Sequence, residues 1–158
     1  MKRKDLTVEL ADVSLPGYLR DAPDMRGMVI FAHGTGSSRD SSRNNYVADR
    51  LAEAGIGSLL FDLLTEREDS SYKTRFQIGL LASRMLGALR WAAAQGLSRG
   101  TSYGLFGSST GSAAAIDAAA RIAKGEEPEA PEPSAIVSRG GRPDMAEESI
   151  PELKAPTL

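Results

Sequence analysis

The sequence contains no cysteine and a single histidine, His33, among its 158 residues. Without thiols the chain can form no disulfide, no thiolate metal site and no cysteine nucleophile, and it is compatible with the cytoplasm. One histidine, and no carboxylates clustered at ligand spacing, give no metal site. No motif indicates an organic cofactor, so we expect neither a metal nor a cofactor.

Long apolar runs and an excess of one charge are also missing. No segment approaches the ~20 apolar residues that cross a membrane, and the basic residues 2–4 precede a polar segment where a signal peptide needs an apolar one. The 19 basic and 21 acidic side chains give a net charge of -2, which offers no reason to expect nucleic acid or a membrane as partner. The composition, 41% hydrophobic, predicts one globular domain over 1–158.

Apolar runs and helical spacings alternate along the chain. Near-continuous apolar runs predict strands buried on both faces, and periodic apolar residues predict helices between them. Two shorter, partly alternating segments suit an antiparallel pair at a sheet edge. The predicted buried strands are 27–32, 57–62, 102–106 and 134–138, the helices 45–54, 76–95 and 112–124, and the edge pair 6–10 and 14–19. This order predicts a three-layer α/β/α domain with a mostly parallel sheet. We expect loops at 65–74 and, because three prolines interrupt it, a surface loop at 125–133.

One serine lies where a nucleophile would project from such a sheet. Residues 107–111 read G-S-S-T-G, directly after a predicted strand and directly before a predicted helix. In a G-x-S-x-G turn, Gly107 and Gly111 leave room for a sharp bend that exposes the central Ser109, and the N–H of Thr110 points at a developing oxyanion. A Gly/Ser turn without chemistry and a phosphate-cradling loop are the alternatives. A phosphate-cradling loop is the weaker of these alternatives, because residues 107–111 contain no lysine.

The histidine begins a second loop rich in glycine, which follows the strand predicted to end at Ala32. This loop can supply the second oxyanion donor, and we assign it to the N–H of Thr35. Gly34 would let the backbone approach a substrate closely. His33 would then organise the loop. The alternatives are that His33 is an ordinary, partly buried histidine, or that it is the general base.

Four blocks together resemble a known family. They are FAHGTGSS at 31–38, LFDLLT at 60–65, GLFGSSTG at 104–111 and SRGGRPD at 138–144, and they look like the dienelactone-hydrolase-like branch of the α/β-hydrolases. The resemblance implies an eight-stranded, mostly parallel sheet and a Ser–Asp–His triad in that order. It implies hydrolysis of ester, lactone or related acyl bonds of a small molecule through an acyl-enzyme. Ser109 maps onto the nucleophile, and Thr35 and Thr110 map onto the oxyanion-hole positions.

The chain departs from the family pattern at its end. The family's acid and histidine would fall after Leu158, and Asp144 does not lie at the acid position. We therefore expect a C-terminally truncated hydrolase domain that lacks its last strands and helices and has weak or no activity. The strand at 134–138 would be an open sheet edge, through which chains could self-associate. The alternative is a non-catalytic protein that uses the hydrolase fold for binding or assembly.

Two arginines follow the strand predicted at 134–138. Arg139 and Arg142 would lie at the carboxyl end of the sheet, where such folds bind ligands. A pair of guanidinium groups could hold a substrate carboxylate. The alternative is that both are solvated loop residues or pair with Asp144 and Glu147.

Overall fold

The computed structural model of the chain describes residues 2–158 as a six-stranded sheet with helices on both faces. The strands are β1 (Arg3–Glu9), β2 (Ser14–Arg20), β3 (Gly27–Ala32), β4 (Ile56–Phe61), β5 (Tyr103–Ser108) and β6 (Ala135–Arg139). The helices are α1 (Ser42–Glu53), α2 (Glu66–Asp69), α3 (Ile78–Ala94) and α4 (Thr110–Ala123), with 3-10 segments at Thr74–Phe76 and Pro143–Glu152. None of these helices is both long and apolar enough to cross a membrane.

The strand order places two loops next to each other. The order is β1-β2-β4-β3-β5-β6, in which β3 to β6 are parallel and β1 and β2 are antiparallel additions at one side. The chain moves from β3 to β4 on one side, and later to β5 on the other side of β3. The carboxyl ends of β3 and β5 therefore meet at the point where the strand order reverses, which is where open α/β sheets bind ligands. The predicted α/β/α architecture is confirmed.

Alternating side chains of the central strands fill two cores. Ile30, Leu59 and Leu105 are almost fully buried in the larger core, which α3 and α4 cover. Their neighbours in sequence face α1 in a smaller core, where the rings of Phe31 and Phe106 lie 4.7 Å apart between centroids. Because both faces carry apolar side chains, the strands read as continuous apolar runs rather than alternating ones.

The segment expected to be a loop at 65–74 contains secondary structure. It begins with the one-turn helix α2, whose first turn is held by a capping box. The Glu68 N–H donates to Thr65 Oγ1 at 3.2 Å, and the Thr65 N–H donates to the Glu68 carboxylate at 2.9 Å. The prediction was wrong because these reciprocal bonds order a polar segment that carries no apolar pattern. The segment 125–133, in contrast, has neither helix nor strand, and its Ala130 packs into the core.

The outer edge of β6 is not open, contrary to expectation. The N–H groups of Ile136 and Ser138 donate to the carbonyls of Pro156 and Leu158 at 2.9 and 2.7 Å, and the Leu158 N–H donates back to Ile136 at 2.9 Å. Residues 156–158 thus run beside β6 and take up its edge hydrogen bonds. Self-association remains a prediction, but the edge it would use lies on residues 156–158 and not on β6.

A partly buried ion pair ties α2 to α3. The Arg84 guanidinium donates to both carboxylate oxygens of Glu68 at 2.9 and 2.7 Å, and its Nη1 also donates to the Leu63 carbonyl at 3.1 Å. The Arg84 side chain is 6% exposed and that of Glu68 is 25% exposed. Hydrogen bonds from Arg84 lower the pKa of Glu68 to about 2.

We predict that Glu68→Gln destabilises the fold by about 1–3 kcal/mol, because it removes a charged partner from the nearly buried Arg84. The pKa of Glu68 is lower in the folded state than its ordinary value of 4.5. The stabilisation is therefore complete above that ordinary value and is lost as the pH falls toward the folded-state pKa. Urea unfolding of both proteins across this pH range measures it, and a difference that persists unchanged at the acid end would contradict the assignment.

Candidate active site

Ser109 lies at a sharp turn between β5 and α4. Its backbone angles are φ 52° and ψ -123°, in the region that side-chain-bearing residues rarely adopt. Arg99 is the other non-glycine residue with positive φ between residues 2 and 158. Such a conformation costs about 1–3 kcal/mol and persists only where the surroundings enforce it. Strain at this position is the geometry expected of an exposed nucleophile at the end of a strand.

The two glycines of the motif are required by close packing. A Cβ on Gly107 would overlap the backbone of Gly111 and Ser112, and a Cβ on Gly111 would overlap the carbonyls of Ala32 and His33. Larger residues would therefore force α4 away from both β5 and the loop after β3. The motif brings the start of α4 against the end of β3, so that the two loops share one site.

The loop after β3 reaches the serine directly. A Cβ on Gly34 would lie 2.9 Å from Ser109 Cβ and 3.6 Å from Ser109 Oγ, so the loop backbone passes beside the hydroxyl. The hydroxyl groups of Thr35 and Thr110 are 2.8 Å apart and join the loop to the first turn of α4. The hydrogen bonds found within residues 2–158 leave the N–H groups of Thr35 and Thr110 without an acceptor. Two backbone donors, one in the loop after β3 and one in the residue after Ser109, thus remain available.

His33 is buried and uses both ring nitrogens within the fold. Its Nδ1 lies 2.8 Å from the Gly34 carbonyl, and its Nε2 accepts the Leu63 N–H at 3.0 Å. Because a carbonyl only accepts, Nδ1 carries the proton and the ring is neutral. Burial lowers the pKa of His33 below its ordinary value. The ring connects the loop after β3 to the loop after β4, an arrangement that suits a loop-organising residue and opposes the alternative that His33 is the general base.

The structure does not bring the two arginines together at one ligand site. Arg142 is exposed and donates to both carboxylate oxygens of Asp144 at 3.0 and 2.9 Å, as the alternative of solvated loop pairing expects. Arg139 turns toward α1, where its Nη2 donates to Ser108 Oγ and Asn44 Oδ1 at 3.1 Å each. The two guanidinium groups therefore do not form a pair in this structure, because the side chains leave the turn in different directions and each has a protein partner. Binding of a substrate carboxylate by either arginine remains a prediction.

Asn44 is a residue of the site that sequence reasoning missed. It is 2% exposed on α1, and its Oδ1 accepts hydrogen bonds from Ser108 and Arg139. Its sequence signal is that a polar residue lies on the same helix face as the apolar residues Val47 and Leu51. No three histidine or carboxylate side chains among the described residues cluster in a way that could hold a metal ion.

Comparison with solved structures identifies the family. The chain is 45% identical to the dienelactone hydrolase of Anabaena variabilis, with a TM-score of 0.89 over 99% of this chain and 71% of that one. Identity of this size over most of both chains shows common ancestry as well as a common fold. The chain belongs to the dienelactone-hydrolase-like branch of the α/β-hydrolases.

More distant structures share the fold of this hydrolase domain. An esterase of Pyrococcus furiosus is 20% identical, with a TM-score of 0.69 over 89% of this chain and 49% of that one. A serine hydrolase of Xanthomonas campestris is 21% identical, with a TM-score of 0.67 over 87% and 60%. At this level of identity the likeness is one of fold. No family model matches the chain.

Curated relatives in Mycobacterium tuberculosis carry a different name. Proteins of two strains are 44% identical over all 158 residues, and their name gives phosphoribosyl transfer as a provisional activity. The hydrolase domain described here spans 34% of their length. The name therefore describes chains about three times as long as the aligned region.

We predict that Gly111→Ala destabilises the hydrolase domain by about 2–4 kcal/mol, because the added methyl overlaps backbone that cannot move without separating α4 from β3. Gly79→Ala is the matched control. It lies in α3, where an added Cβ comes no closer than 3.7 Å to Arg121 Nη2, and it should leave stability unchanged or raise it by up to about 1 kcal/mol. Urea unfolding measures the free energy of unfolding of both variants. Equal changes in the two would show that the contact at Gly111 is not restrictive.

The His33 ring should stay neutral and carry its proton on Nδ1 well below its ordinary pKa of 6.5. Long-range 1H–15N correlation spectra across an acid titration report both the tautomer and the pKa. Because the folded-state pKa is lowered, the unfolded chain binds the proton first, and stability falls as the pH drops below the ordinary value. A ring that titrates at or above that value would contradict the buried arrangement.

Proposed function

We propose that the domain hydrolyses an ester, lactone or related acyl bond of a small molecule through an acyl-enzyme on Ser109. The observation that carries the proposal is the strained backbone of Ser109 beside two free N–H groups. A binding module has no need of a serine held at positive φ, whereas an attacking hydroxyl must project beyond the sheet into open space. Membership of a hydrolase family supports the same reaction class.

The chemistry follows from the positions of these groups. When a base removes the hydroxyl proton, Ser109 Oγ attacks the acyl carbon, and the carbonyl oxygen becomes an oxyanion. The N–H groups of Thr35 and Thr110 can then donate to that oxyanion, aided by the partial positive charge at the start of α4. Collapse of the intermediate leaves an acyl-serine and expels the alcohol, which takes the proton back from the base. The base then removes a proton from water as the water attacks the acyl carbon, and the acid leaves as Ser109 Oγ regains its proton.

The base is the part that these residues do not supply. His33 is the single histidine of the chain, and both of its ring nitrogens are occupied. We therefore infer that an efficient reaction uses a base from polypeptide other than these 158 residues, and that the 158 residues alone react slowly. Loss of the base in a serine hydrolase typically costs several orders of magnitude in rate.

The engaged histidine also favours a second candidate, a non-catalytic domain that keeps the hydrolase fold for binding or assembly. In that case Ser109 would be unreactive even when a base is added. Phosphoribosyl transfer is not proposed for these residues. They form a hydrolase sheet with its strained serine, and the transferase name belongs to chains of which they match a third.

Labelling by a fluorophosphonate probe tests the proposal, with the adduct located by mass spectrometry. We expect slow labelling of Ser109 that accelerates when imidazole is added as an external base, and no adduct in Ser109→Ala. Ser102→Ala, which changes an exposed serine before β5, should label like the parent chain. A folded sample that gains no Ser109 adduct even with imidazole would exclude the hydrolase and favour the non-catalytic domain. Fast ester turnover without imidazole, abolished by Ser109→Ala, would show that a base is already present.

A further inference from the structure

The segment Arg139-Gly140-Gly141-Arg142 contacts the strained serine from outside its own strand and helix. The Ser109 N–H donates to the Arg139 carbonyl at 3.4 Å, and the Arg142 N–H donates to the Ser109 carbonyl at 3.2 Å. The Arg142 N–H also reaches Ser112 Oγ at 3.0 Å. Both backbone polar groups of Ser109 thus bond a segment that lies 30 residues further along the chain.

The path of this segment is tight enough to explain its composition. Gly140 has φ 53°, and a Cβ on Gly141 would overlap the hydroxyl groups of Ser112 and Ser138. The turn therefore returns the chain from the end of β6 to the carbonyl of Ser109 within three residues. A residue with a side chain at position 141 would push Arg142 away from the serine.

The Arg139 side chain contacts the residue directly before Ser109. Its Nη2 donates to Ser108 Oγ and Asn44 Oδ1, and the Ser108 hydroxyl donates to Asn44 Oδ1 at 2.9 Å. Asn44 and Ser108 are 2% and 7% exposed. These bonds connect α1 to the ends of β5 and β6. The residue that ends β5, Ser108, directly precedes Ser109.

This arrangement carries an energetic cost at one atom of Arg139. Arg139 Nε is buried and has no acceptor within the described part of the chain. A buried donor without a partner costs about 1–3 kcal/mol, which an apolar side chain of similar length would avoid. The two bonds from Nη2 offset this cost. One ends at Ser108, directly before the strained serine, and the other at Asn44, which also accepts from Ser108.

We propose that Arg139 is a positioning residue, which acts through Ser108 and Asn44 to hold Ser109 in its left-handed conformation. The backbone of residues 139–142 adds to this restraint through its hydrogen bonds to the N–H and carbonyl of Ser109. The importance of this restraint for catalysis rests on the proposed function, whereas the restraint itself does not. The role proposed for Arg139 differs from the substrate binding expected from sequence.

Amide hydrogen exchange of the full 158-residue chain, followed by NMR, tests the restraint without substrate or probe. In Arg139→Gln, exchange of the Ser109 N–H should accelerate by at least about 10-fold relative to the amides of Ile30 and Leu105, because the turn opens locally. A merely structural role would raise exchange at all three amides together. Arg26→Gln, an exposed change just before β3, should alter none of them.

Ser108→Ala provides a second variant that keeps the backbone and the charge of Arg139. It should accelerate exchange at Ser109 in the same way, and the double variant should add little to either single one, since both remove one connection. If Arg139→Gln does not fold, Ser108→Ala decides alone. Unchanged exchange at Ser109 in the folded variants, or an equal rise at all three amides, would overturn the proposal. Labelling of Ser109 is a separate measurement, so failure of the hydrolase proposal would not be confused with failure of this one.

Discussion

The backbone of Ser109 imposes the constraint on which the rest of the site depends. A serine at positive φ is unfavourable by itself, so neighbouring elements must hold it there. The fold does this by bringing three carboxyl ends together, those of β3, β5 and β6, and by keeping side chains out of the space between them. Small residues at this edge of the sheet follow from that requirement. The parallel arrangement of the strands is what makes three such ends available on one side.

Hydrogen bonds extend this constraint away from the serine through the backbone of the buried residue Leu63. The Leu63 N–H donates to His33, and the Leu63 carbonyl accepts from Arg84 of α3. His33 in turn bonds Gly34, whose backbone passes beside Ser109. The position of the loop after β3 therefore depends on α3 and, through Glu68, on the short helix α2. In the described chain, the histidine of this hydrolase-family site bonds the loops after β3 and β4 and has no free ring nitrogen to accept a proton.

Much of this arrangement could be predicted from sequence, because its signals are local. Buried parallel strands appear as continuous apolar runs, and the G-x-S-x-G turn can be recognised because it lies between such a run and a helix. The capping box of Thr65 and Glu68 also has a local signal, the T-x-x-E pattern, although no apolar stripe follows it. Signals of this kind depend on residues close to each other in the chain.

The direction of the Arg139 side chain could not be predicted, since it depends on contacts between residues far apart in sequence. Whether an arginine at the end of β6 faces solvent or α1 is decided by Asn44, 95 positions earlier, and by the rotation of α1 against the sheet. Two arginines three residues apart suggest a shared ligand only if they point the same way, and the turn at Gly140 and Gly141 separates them. A buried asparagine on an otherwise apolar helix face is the better sequence signal here. Such a residue needs polar partners, and in a parallel sheet those partners lie where the strands end.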